Sequence, residues 1–148
     1  MKNNWSDKLS LILLTFWVGA LWTIAVVAYL LFSTLPDNQL AGQLAGQFFA
    51  YVTYLGLFAA FFLLLQRLFA FGSQALKQGY FWAVLLMLLL ALAAQFGIQP
   101  ILAQLKADAL PSDVMQSVFS DRFATWHGVA SIAYVLQCLL GIVAVLKK

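Results

Sequence analysis

Apolar positions in this chain run in long unbroken stretches, and charged positions fall in short clusters between them. Lys8 to Asp37 encloses 28 uncharged residues, Asp37 to Arg67 29, Lys77 to Lys106 28 and Arg122 to Lys147 24. A bilayer core of about 30 Å takes about 20 helical residues at 1.5 Å each, so every window is long enough to cross it. The windows are continuously apolar instead of alternating with period two, and an open sheet edge is not tolerated in lipid, which sets strands aside. The pattern predicts an all-α, integral membrane four-helix bundle, up-down-up-down, as a single domain over residues 1–148. Its spans lie near Leu9–Phe32, Gln47–Phe71, Tyr80–Ala103 and Phe123–Leu146. A signal peptide is the competing reading of the first segment, with Val26-Val27-Ala28 as the cleavage-like site. The apolar run continues past Ala28 through Phe32, longer than an h-region of 7–15 residues, which favours a helix.

The connections carry their own signals. Asp37 after Pro36 is a predicted N-cap, so the second helix is expected to start there, outside the membrane. The tandem Leu40-Ala41-Gly42-Gln43 and Leu44-Ala45-Gly46-Gln47 fits that helix, with Gln39, Gln43 and Gln47 on one stripe and Gly42 with Gly46 on another. Gly42 and Gly46, with Gly19, are candidate helix-packing positions, because small residues let helices approach closely. Pro111-Ser112-Asp113 is expected to open a short interfacial helix carrying Val114, Val118 and Phe119 on one side.

Composition agrees: 64% of the 148 residues are hydrophobic and 9% charged, against about 25% charged in soluble domains. The formal net charge of +3 is small and scattered, which argues against a nucleic-acid surface and is better read as topology. With the N-terminus cytoplasmic, that side holds Lys2, Lys8, Arg67, Lys77, Lys147 and Lys148, and the other holds Lys106 and Arg122. Both termini are therefore expected in the cytoplasm. One Cys excludes an intrachain disulfide.

Few polar side chains fall within the spans. His127, Ser131, Tyr134, Cys138 and Gly141 follow one another at steps of four, three, four and three, one helical face. Gln95 and Gln99 lie one turn apart on the third span, and depth at 1.5 Å per residue brings them level with His127. Gln47 and Tyr51 fall in the same outer layer. A polar cluster of His127, Ser131, Gln95, Gln99, Gln47 and Tyr51 is thus expected, either as interhelical hydrogen bonding or as a ligand site. No acidic residue lies within a span, so a proton-relay pump and a carboxylate acid–base pair are both disfavoured. His127 and Cys138 stand about 16 Å apart along the helix, too far to share a metal, and no metal site is expected. A haem would find one His per chain, so the identity of any cofactor stays open.

Several motifs resemble the transmembrane protein 205-like family across nearly the whole chain. They are Trp17-Val-Gly-Ala-Leu-Trp22, Phe32-Ser-Thr-Leu35, Ala41-Gly42 with Gly46 and Phe48, Pro100, and Phe123-Ala-Thr-Trp-His127-Gly128 with Ser131. Tyr29 and Ala50 stand where that pattern has prolines. The resemblance implies a four-helix inner-membrane protein, similar in outline to copper-resistance-D-like membrane proteins. It points to Gly19, Gly42, Gly46, Pro100, His127, Gly128 and Ser131, and it implies no reaction. The soft or borderline ligands Met87, Met115, His127 and Cys138 are not clustered in sequence, which gives a copper role little support. The expected function is a non-enzymatic membrane component binding a small ligand or another membrane protein through the His127 cluster. The alternatives are a haem- or metal-associated redox protein using His127 and an oligomerising transporter subunit.

Overall fold

The computed structural model describes residues 5–148, and Lys2 lies outside the described residues. Its long elements are α1 (Trp5–Thr34), α2 (Asn38–Phe71), α3 (Gly79–Leu92), α4 (Gln99–Ala109) and α5 (Ser120–Lys147). A six-residue 3₁₀ segment, Gly72–Lys77, joins α2 to α3, and a π-helical segment, Ala93–Ile98, joins α3 to α4 without a break. Together these give four helical stretches long and apolar enough to cross a membrane: Trp5–Thr34, Asn38–Lys77, Gly79–Ala109 and Ser120–Lys147. Only 22–33% of the residues in their most apolar windows are buried inside the bundle. The remaining apolar surface faces outward, which lipid tolerates and water does not.

Each helix runs further than the charge gaps suggest, because capping and packing, not charge, end it. Asp37 caps α2 as expected, its side chain accepting from the backbone N–H groups of Gln39 and Leu40. At 34 residues α2 is about 51 Å long, more than a bilayer core of about 30 Å needs, and its first turns carry the tandem repeat. There Ala41 and Ala45 are buried, whereas Gly42 and Gly46 are half-buried and Gln39, Gln43 and Gln47 are exposed. Alanine, not glycine, makes this close approach. At the other end Gly72 adopts φ +54°, a conformation suited to glycine, and its N–H caps the helix on the Leu68 carbonyl.

The π segment has a local cause. Pro100 has no N–H, and its ring would collide with the carbonyl four residues back in a regular α-helix. The Gln99 N–H bonds instead to the Ala94 carbonyl, five residues back, and the widened turn accommodates the proline. At Tyr29 and Ala50 α1 and α2 pass through without interruption.

The core brings Leu14, Trp17 and Leu21 from α1 against Leu63 from α2, Tyr80, Val84 and Met87 from α3, and Cys138 and Ala144 from α5. Two glycines permit the closest approaches. A Cβ at Gly56 would stand 2.3 Å from Trp17 Nε1, and one at Gly141 3.1 Å from Val18 Cγ2. Across α1 and α5 the Tyr134 hydroxyl donates to the Leu21 carbonyl, and its ring meets Phe49 edge-on at 4.9 Å. A second, smaller core lies at the far end, where Leu105, Ala109 and Val114 pack with Ile101, Phe119, Phe123 and Trp126.

The expected interfacial helix after Pro111 is only the 3₁₀ turn Val114–Gln116, capped by Asp113 on the Met115 N–H. Val114 is buried and Phe119 packs beside it, but Val118 is 92% exposed. The three apolar residues therefore do not share a side.

Candidate functional site

The outer polar cluster expected around His127 does not assemble. His127, Ser131, Gln47 and Tyr51 are exposed, and Gln95, Gln99 and Gly128 are half-buried. His127 stacks on Phe123, with ring centroids 5.8 Å apart, and the Ser131 hydroxyl turns back to the His127 carbonyl at 2.8 Å within its own helix. Gln95 donates to the hydroxyl of Tyr54, at 3.3 Å, a partner outside the expected set. The reason lies in α5. Its inward stripe is Phe123, Trp126, Ala130, Tyr134, Gln137, Gly141 and Ala144, at steps of three and four, and His127 and Ser131 each sit one residue off it. Small and aromatic residues that fill the bundle decide the helix rotation, and His127 and Ser131 are left facing away from it.

The candidate packing glycines are displaced in the same way. Nothing lies within 4 Å of a Cβ at Gly19, Gly46 or Gly128, and Gly42 meets only the Phe32 ring at 3.9 Å. Met87 and Cys138 are buried in the core while Met115 and His127 are exposed, so these four do not gather. No three His, Cys, Asp or Glu side chains converge among the described residues.

Polar groups instead converge at the opposite end, where the start of α1, the end of α2, the start of α3 and the end of α5 meet. Gln66 of α2 is buried, and its Nε2 donates to Asp7 Oδ1 at 2.8 Å and to Ser6 Oγ at 3.3 Å on α1. Ser10, also buried, accepts from the Lys148 ammonium and donates to the Asp7 carbonyl. Arg67 donates from Nε to Gln78 Oε1, and its guanidinium lies 4.6 Å from the Phe71 ring centroid and 4.7 Å from that of Tyr80. The Lys148 ammonium stands 5.4 Å from the same Tyr80 ring.

Tyr80 is thus the centre of this polar end, fully buried, with two cations over its ring. Its hydroxyl is buried with no hydrogen-bond partner among the described residues; such a group costs about 1–3 kcal/mol. Cations over an aromatic face are attracted by the ring quadrupole, which offsets part of their mutual repulsion. The Lys148 ammonium titrates below the usual lysine range, because burial disfavours its charge and Arg67 repels it; Asp7 pulls the other way. Among the described residues Arg67 and the Asp7 carboxylate are the charges that act on Lys148 here.

The sequence holds a signal for this end too. Ser10, Gln66, Gln78, Tyr80 and Lys148 all lie within three residues of a charge bounding an apolar window. They are level with one another by the same depth arithmetic.

Fold and polar end together define a small helical membrane protein with four candidate spans. A family model described as a domain of unknown function, DUF4149, matches residues 12–111, and the chain belongs to that family. The match runs from within α1 to just past α4; it takes in Gln66, Arg67 and Tyr80 and leaves out Ser10 and Lys148. Neither the curated proteins nor the solved structures give a match to this chain.

Proposed function

We propose that the protein is a multi-pass component of the bacterial inner membrane, an up-down-up-down bundle with both termini in the cytoplasm. In this reading it is a non-enzymatic binding protein whose working part is the polar end around Tyr80. The observation that carries it is the convergence of Ser10, Gln66, Arg67, Gln78, Tyr80 and Lys148 on one layer, at the ends of all four long helical stretches; among the described residues Ser10 and Gln66 are two of the three buried polar side chains. Polar groups in a membrane bundle are costly unless partnered, and a layer built from every span is where function is expected. The orientation rests on the six-to-two Lys and Arg asymmetry, which puts the polar end inside. The resemblance to the transmembrane protein 205-like family agrees with an inner-membrane bundle. The haem reading needs His127 in a pocket, and His127 is exposed.

Sided labelling tests the topology. In a Cys138→Ser background, Ser112→Cys is expected to react with a membrane-impermeant maleimide in intact cells and Lys148→Cys only after lysis; the reverse pattern overturns the orientation. Complementation of a deletion strain tests the site. Arg67→Gln/Lys148→Gln, present in the membrane at the wild-type level, is expected to fail where His127→Leu succeeds. His127→Leu should change stability by no more than about 0.5 kcal/mol, as an exposed substitution does. Loss of complementation by His127→Leu alone would return the working part to the outer layer.

A further inference from the structure

We infer that Arg67 and Lys148, held over Tyr80, bind the phosphate of an anionic phospholipid headgroup. This rests on the polar end being the working part and facing the cytoplasm. Two cations share one aromatic ring, and the acceptors they hold, Gln78 Oε1 and the Ser10 hydroxyl, are both neutral. The nearby carboxylate, Asp7, is exposed and accepts from Gln66. Guanidinium presents a planar fork that matches phosphate oxygens, and ammonium adds a point charge. Among the described residues the Tyr80 hydroxyl has no partner, and an anionic oxygen that reached it would supply an acceptor. A bound anion would also relieve the unfavourable charge on Lys148.

Depth identifies the source. The apolar windows end at Lys8, Arg67, Lys77 and Lys147, so the site lies at the level of the headgroups. Basic pockets between helices at the cytoplasmic face are where anionic headgroups bind, and Lys8, Lys77 and Lys147 raise their local concentration. Free inorganic phosphate shares the chemistry but is not confined to that layer.

The test uses the full-length protein in a neutral detergent, with thermal stability as the readout, since a ligand that binds only the folded state raises Tm by mass action. Phosphatidylglycerol is expected to raise Tm in a saturable manner, and phosphatidylcholine and millimolar inorganic phosphate are not. Each cation removed, by Arg67→Gln or Lys148→Gln, should weaken half-saturation about five-fold. Lys8→Gln/Lys77→Gln, at the same end but not over the Tyr80 ring, should weaken half-saturation less than either single variant. Equal protection by phosphatidylcholine, equal protection by inorganic phosphate, or an unchanged response in both single variants overturns the lipid assignment. So does an equal loss in Lys8→Gln/Lys77→Gln, which would mean diffuse surface charge. If Arg67→Gln does not fold, Lys148→Gln at the end of α5 decides alone. A failed lipid response with Arg67→Gln/Lys148→Gln still unable to complement would remove the headgroup and leave the polar end as the working part. Reversed labelling would remove the cytoplasmic reading itself.

Discussion

Gly56→Ala is expected to destabilise the bundle by about 1–3 kcal/mol, the range for overpacking a well-filled core, and to lower Tm in detergent accordingly. The new methyl would fall 2.3 Å from Trp17 Nε1, 2.8 Å from Cε2 and 3.1 Å from Cζ2. Trp17 is 1% exposed, its rigid indole packed in the principal core, so neither side can yield without moving a helix. A double-mutant cycle with Trp17→Leu checks the cause. The two changes should couple by about 0.5–3 kcal/mol, the double variant being less damaged than the sum. Gly19→Ala and Gly46→Ala are the controls, because nothing lies within 4 Å of either added methyl. Alanine is the better helix former by about 0.5–1 kcal/mol, so both should be neutral or stabilising. Additivity in the cycle, or a larger loss at Gly19 than at Gly56, would contradict this packing.

That contrast shows where the sequence was legible. Long apolar stretches between charges predict helices because only helices satisfy their own backbone in lipid, and all four candidate spans are present. Asp37 announces its cap through a local rule that acts within three residues. Helix rotation is different. Lipid and bundle core are both apolar, so a span such as α1, apolar around most of its circumference, carries little periodic signal of which side faces inward. Choosing the polar face of α5 as the inner one followed a rule for buried groups, but His127 is near enough to the helix end to be exposed. Gly56 and Gly141 were hidden for the complementary reason: what makes a glycine matter is the residue opposite it, Trp17 or Val18, and spacing within one helix does not reveal that. Pro100 did mark a perturbed turn, although its form, a π segment, depends on the whole helix continuing.

Tyr80→Phe is the substitution whose expected sign is least intuitive. In lipid-free detergent it should stabilise the protein by about 1–3 kcal/mol, because it removes a buried hydroxyl that has no hydrogen-bond partner among the described residues and keeps the ring that fills the core. The phenyl face still serves Arg67 and Lys148, so the cation contacts at 4.7 and 5.4 Å should persist. A residue that lowers stability is retained when function uses it, and removal of a strained functional group commonly stabilises at the expense of activity. Saturating phosphatidylglycerol should narrow the gap between Tyr80→Phe and the wild type, because only tyrosine can donate to the phosphate. Thermal melts of both proteins with and without that lipid give the four values needed. A loss of about 1 kcal/mol on Tyr80→Phe in the absence of lipid would mean that the hydroxyl already has a partner and does not await an anion.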